Sequence, residues 1–392
     1  MRSDGSQRPT ACTLAVVLIV FVGERSVWGQ TSVSRSSGEA AQVATSPRDG
    51  GAALETEPAC PREAPSYPHQ AFRKFEIGTG PRSYWIFEPD KPQPARAPVV
   101  VLLHGWQAYN PAAYGAWILH LTRSGRIVVF PRYQDVSTRP AAFLTNAGHA
   151  VRDSLVVLAS SSKHVRPDLT RVVFLGHSAG GNIAVQLAAT AHQEGVPSPV
   201  AVIALMPGEV SAERGPDLAT IPPQTLLVVT VGEDDYIVGD HRARQIFAQT
   251  TSIPAARKKF ILYRSDLHGR PWLIADHLAP TAAARDFDTA EAPFRGIQMR
   301  QARLDALDRA ALWRMADITF EAAFHGQTLD DAADRGALFL NLGRWSDGRP
   351  VTPPIVADNP DDVPRIIPPN GLRLLPIPSL TASPAPETSL HD

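Results

Sequence analysis

Thr170-Arg171-Val172-Val173-Phe174-Leu175-Gly176-His177-Ser178-Ala179-Gly180-Gly181-Asn182-Ile183-Ala184 is the stretch on which the reading turns. A β-branched apolar run leads into G-x-S-x-G, and the segment Asn182 to Ala189, rich in helix formers, follows. Strand, sharp turn and helix is the context in which this motif presents a serine. The turn forces the serine into a costly backbone region, and side chains at Gly176 and Gly180 would meet the neighbouring strand and helix. Ser178 is then lifted clear of the sheet. The first N–H groups of the helix are aimed at whatever binds there.

Working outward, apolar runs alternate with helical segments. Phe72 to Ile77 and Ser83 to Phe87 read as an antiparallel pair at a sheet edge. Pro98 to Leu103, Arg126 to Phe130, Val200 to Leu205, Thr225 to Val231 and Phe260 to Tyr263 read as strands, the continuous apolar runs being buried on both faces. Helices are expected from about Ala141 to Ser160, Asn182 to about Gln193 and His241 to Gln249. The fold class is α/β, a mostly parallel sheet covered by helices on both faces. Ala302 to Phe324 carries apolar residues at helical spacing, an extra C-terminal helix packing on the domain or over the site mouth.

With 44% hydrophobic residues the chain can bury a sizeable core, and a net charge of −1 gives no case for nucleic acid or an anionic membrane surface. Residues 1–29 read as a signal peptide: Arg2 and Arg8, the apolar run Ala11 to Val22, and small residues Val27 and Gly29 before Gln30. That run is too short to span a bilayer, so a secreted or periplasmic protein without a stable membrane span after cleavage is expected. A signal anchor at the outer face of the membrane is the alternative. Residues 30–65 read as a flexible leader, and 66–347 as one domain including a helical extension from about 286 to 347. Residues 348–392 read as a Pro-rich irregular tail. After cleavage Cys60 stands alone, so no internal disulfide is expected.

A serine hydroxyl needs an imidazole as base, and the imidazole needs a carboxylate to hold it. The expected acid follows the Thr225–Val231 strand, where Gly232-Glu233-Asp234-Asp235 selects Asp235, with Asp234 as alternative. The expected base is His268, in the loop after the last strand. His277 is its rival, set aside because a helix should have begun there. Oxyanion donors are expected from the N–H groups of Ala179 and Trp106. Tyr109 and Tyr114 are candidates for a substrate pocket. Neither H-E-x-x-H nor a paired-cysteine motif occurs, so no metal and no cofactor are expected.

Taken together, Gly176-His177-Ser178-Ala179-Gly180, His104-Gly105-Trp106, Gly232 to Asp235 and His268 resemble the α/β-hydrolase superfamily over roughly residues 70 to 285. The set is most similar to the dienelactone-hydrolase, chlorophyllase and secreted polyester-hydrolase branch. That resemblance implies the α/β-hydrolase fold and a serine hydrolase acting on a small-molecule or lipid-like carboxylic ester through an acyl-enzyme. Peptide or amide cleavage and acyl transfer use the same machinery and remain open, as does a non-catalytic binding module.

Overall fold

The computed structural model describes residues 66–211, 215–290, 302, 304–333 and 337–367. The expected signal peptide, the leader, Cys60 and the end of the tail lie outside them. The described residues belong to one compact unit, within residues 52–392.

Nine strands form one sheet: β1 (Ala71–Ile77), β2 (Tyr84–Asp90), β3 (Arg96–Leu103), β4 (Ile127–Pro131), β5 (Arg166–His177), β6 (Ala201–Leu205), β7 (Leu226–Gly232), β8 (Lys258–Tyr263) and β9 (Ile355–Ala357). Their order is β1-β2-β4-β3-β5-β6-β7-β8-β9. From β4 through β8 every neighbouring pair is parallel; β1–β2, β2–β4 and β8–β9 are antiparallel. Strand order reverses between β3 and β5, since β4 lies on one side of β3 and β6 on the far side of β5. In open α/β sheets such a reversal is where ligands bind, outside the carboxyl ends of the strands.

The continuous apolar strands work as the doubly buried runs they resemble. In β3, Val99, Val101 and Leu103 face one layer, while Val100 and Leu102 face the other. The first layer holds α2 (Phe143–Ser160), α3 (Ala179–Ala189), the short α4 (Ala191–Glu194) and α5 (His241–Gln249), through residues such as Val151, Ile183, Leu187 and Ile246. The second layer holds α1 (Gly115–Arg123) and α6 (Arg314–Phe324), through Trp117, Leu121, Met315 and Phe320.

Two expectations change. The helix foreseen from Ala302 is a π-helical turn, Leu307–Trp313, running into α6. Its apolar side lies on the sheet among β5, β6 and β7, so it is a structural layer and not a cover for the site mouth. The stretch after 348, expected to be irregular, supplies β9, which extends the sheet by pairing Ile355–Ala357 with Phe260–Leu262. Only three residues pair, too few to leave an alternating signal in sequence. Polar ties fix the chain around and beyond β9: the Arg244 guanidinium donates to the carbonyls of Pro360, Val363 and Pro364, and Lys259 binds Asp330 and Asp358.

Candidate active site

Ser178 sits between the end of β5 and the start of α3 with φ 57° and ψ −122°. Holding an L residue there costs about 1–3 kcal/mol. The glycines make the turn possible. A Cβ on Gly176 would lie 2.1 Å from the Gly180 carbonyl oxygen, and one on Gly180 would lie 2.1 Å from that of Leu103. Backbone bonds then clamp the serine. Its N–H donates to Leu205 O (2.9 Å), and its carbonyl accepts from Gly208 N–H (3.1 Å).

Asp235 lies in the turn after β7 and is fully buried. Its Oδ1 accepts the N–H groups of Ile237 and Val238, both at 3.1 Å. Its Oδ2 accepts from His277 Nδ1 at 2.8 Å, and His277 Nε2 lies 2.8 Å from Ser178 Oγ. Asp234 turns away to receive the hydroxyls of Tyr236 and Ser265. Between the two acids of the sequence reading, Asp235 is therefore the one that meets the imidazole.

The histidine is where the structure departs from the sequence reading. His268 does not reach Ser178. Its Nε2 pairs with Asp347 Oδ2 at 2.6 Å, and Arg349 lies 3.1 Å from its Nδ1. The cause is the shape of the loop after β8. The chain leaves Tyr263, makes an excursion closed by paired backbone bonds between Asp266 and Leu273 (2.8 and 3.0 Å), and only then returns to the turn after β7. His268 rides on that excursion. Four N–H or O–H groups converge on the Asp266 carboxylate and pin it: His268 N, Trp345 Nε1, Thr352 N and Thr352 Oγ1. These bonds hold the Asp266 carboxyl below the usual carboxylate range against the burial that would raise it. On the return leg, Ala275 O accepts Asp234 N–H at 3.1 Å, and a Cβ on Gly232 would lie 2.3 Å from that oxygen. This close approach of β7 and the return leg sets His277 over Asp235. No helix forms at His277; Pro271 and Pro280, nine residues apart, were the available warning against one.

The loop after β3 comes flush against the elbow, since a Cβ on Gly105 would stand 3.3 Å from Ser178 Cβ. Trp106 follows, its side chain 37% exposed and its ring 5.3 Å from that of Phe143. Ala179 opens α3 directly after the serine. His104 is structural: buried, stacked on Tyr133, with Nε2 2.8 Å from Arg132 O, and pushed down to about 4 by burial. Tyr109 and Tyr114 are interior groups rather than the walls of an open pocket, at 3% and 1% exposure. Tyr109 lies against the Arg132 guanidinium, and Tyr114 bonds beneath the elbow to Gly105 N and His177 Nδ1. Among the described residues no group of acidic, histidine or cysteine side chains is arranged to hold a metal ion.

A family profile described as an alpha/beta hydrolase fold matches residues 100–263, a span that runs from the second half of β3 through β8 and includes the G-x-S-x-G turn. The chain has the α/β-hydrolase fold. Methylphloroacetophenone synthase of Cladonia uncialis is 30% identical over 141 residues, which cover 33% of this chain and 6% of that protein. The chain thus spans a small fraction of the relative it matches. The profile supports a hydrolase and does not select a branch of the superfamily.

In this α/β-hydrolase fold, residues that follow β5, β7 and β8 form one bonded series. Ser178 Oγ–H can donate to His277 Nε2, and His277 Nδ1–H to Asp235 Oδ2. That order places a proton acceptor beside the hydroxyl. The profile ends at 263, before either histidine, so it offers no choice between them.

Proposed function

We propose that the chain is a serine hydrolase that cleaves carboxylic esters through Ser178, His277 and Asp235. The observation that carries this reading is the 2.8 Å contact of His277 with both Ser178 Oγ and Asp235 Oδ2. His277 Nε2 takes the hydroxyl proton as Ser178 Oγ attacks the acyl carbon. Asp235 stabilises the resulting imidazolium without taking its proton. The carbonyl electron pair moves onto oxygen, where the N–H groups of Ala179 and Trp106 receive it. The C–O bond to the alcohol then breaks, and His277 returns the proton to the leaving oxygen. Water, deprotonated by the same imidazole, releases the acid and restores Ser178. No step calls for a cofactor. The substrate class is a small-molecule or lipid-like ester, and residues 1–29 favour action outside the cytoplasm.

Hydrolysis of p-nitrophenyl esters from acetate to palmitate tests this, with Ser178→Ala as control. Turnover lost in the variant, together with fluorophosphonate labelling at Ser178 in the wild type, supports the reading, and the chain-length profile sizes the acyl site. A wild-type chain that neither turns over any ester nor takes the label overturns it.

A further inference from the structure

His177, between Gly176 and the nucleophile, has no part in the steps above, yet it is a buried titratable group in contact with the site. It is 4% exposed. Its Nε2 lies 2.7 Å from the main-chain oxygen of His277, and its Nδ1 lies 2.8 Å from Tyr114 Oη. Tyr114 Oη in turn accepts Gly105 N–H at 2.9 Å.

Valence orders these contacts. A carbonyl oxygen only accepts, so Nε2 carries the hydrogen. Burial, chiefly, holds the His177 ring far below its usual pKa, so the ring is neutral and Nδ1 offers a lone pair. Tyr114 O–H fills that lone pair, its phenol kept protonated by burial. One direction results: Gly105 N–H to Tyr114 O, Tyr114 O–H to His177 Nδ1, His177 Nε2–H to His277 O. The chain of bonds joins the loop after β3, the last residue of β5 and the loop after β8. One end is the residue before the Trp106 donor. The other end is the main chain of the base itself. A histidine serving only as core filler has no reason to bond at both of those places.

We propose that Tyr114 and His177 are positioning residues, a buried hydrogen-bonded brace that sets the oxyanion loop and His277 in register with Ser178. This rests on the serine-hydrolase reading. Displacing reacting groups by about 1 Å costs roughly 100-fold in rate, and the brace acts on two such groups at once.

The test compares wild type, Tyr114→Phe, His177→Gln and His177→Leu. The readouts are kcat and KM on the best p-nitrophenyl ester, affinity for an alkylboronic acid that mimics the tetrahedral intermediate, and Tm. Tyr114→Phe and His177→Leu should lower kcat by about 10- to 100-fold with KM little changed, and weaken boronate binding by a similar factor. His177→Gln, whose amide N–H still donates to His277 O, should keep most of both. Wild-type kcat and boronate affinity in Tyr114→Phe and His177→Leu would overturn the brace. So would a Gln variant as damaged as the Leu variant, because the hydrogen bond would then not be what matters. If Tyr114→Phe does not fold, the two His177 variants decide. Failure of the underlying reading is visible separately: wild type itself would then show no Ser178-dependent turnover or labelling, and both ideas fall together.

Discussion

At the residue scale, the site depends on one strained serine and on a choice between histidines. Ser178 keeps a positive φ because Gly176, Gly180 and the bonds to Leu205 and Gly208 leave no relaxed alternative. The serine turn was legible in sequence because glycines are needed on both sides of it. The carboxylate that meets the imidazole was legible because Gly232 to Asp235 runs G-x-x-D before apolar residues at the end of β7. The histidine beside the serine was not, because two histidines nine residues apart in one loop look alike without its path. Their variants should separate cleanly. His277→Ala should cut kcat on an active ester by at least about 10³-fold. His268→Ala should leave it near wild type, since the contacts of its ring include Asp347, Arg349 and Trp345, while His277 is the histidine at Ser178 Oγ. Steady-state kinetics on the two variants checks this; equal losses would place the proton acceptor elsewhere.

At the element scale, the π-helical turn ahead of α6 buries an acid. Asp308 is 1% exposed, its Oδ1 has no partner among the described residues, and its Oδ2 accepts Asp305 N–H at 2.9 Å. Burial first, and the nearby Asp305 charge second, push its carboxyl well above the usual carboxylate range. Counting protons gives the sign of the effect. Above about pH 4 the unfolded chain releases this proton while the folded chain keeps it, so the group's contribution favours unfolding increasingly as pH rises through that interval. Asn cannot ionise. Asp308→Asn should therefore gain stability relative to wild type between about pH 4 and about pH 8, by about 1 kcal/mol or more. Urea unfolding at both pH values measures it. A difference between the two proteins that does not change with pH would mean that the folded state holds no such proton. Nothing in the apolar spacing of Ala302 to Phe324 announces the π turn, because the same residues satisfy a helical stripe with or without one added position.

At the scale of the whole molecule, the sheet ends on a strand contributed from far along the chain. β9 covers the open edge of β8, and the residues after it tie α5 through Arg244. A truncation after Pro353 removes β9, the Asp358 partner of Lys259 and the carbonyls that receive Arg244. Arg244 would keep Asp240 at 2.6 Å but lose its other acceptors in a buried position. Lost edge pairing and unsatisfied buried N–H groups should lower Tm by several degrees and leave a hydrophobic edge open to association. Thermal unfolding and light scattering on the shortened chain read both effects. An unchanged Tm would make the carboxyl-terminal segment an ornament.

Local chemistry was enough for the G-x-S-x-G turn, the parallel strands and the order serine, carboxylate, histidine along the chain. Each depends on constraints carried by a few neighbouring residues: glycine where a Cβ would strike backbone, unbroken apolar runs where both faces are covered, a carboxylate where a turn offers N–H donors. What the tertiary structure alone decided depends on partners distant in the chain. His277 rather than His268 meets Ser178 because Asp266 is held by Trp345 and Thr352, far along the chain, and because Ala275 packs against Gly232. Tyr114 leaves the candidate pocket for the interior because Gly105 and His177 converge on its hydroxyl. The tail becomes a strand because β8 has an unpaired edge beside it. These are packing decisions, and a sequence read one segment at a time does not contain them.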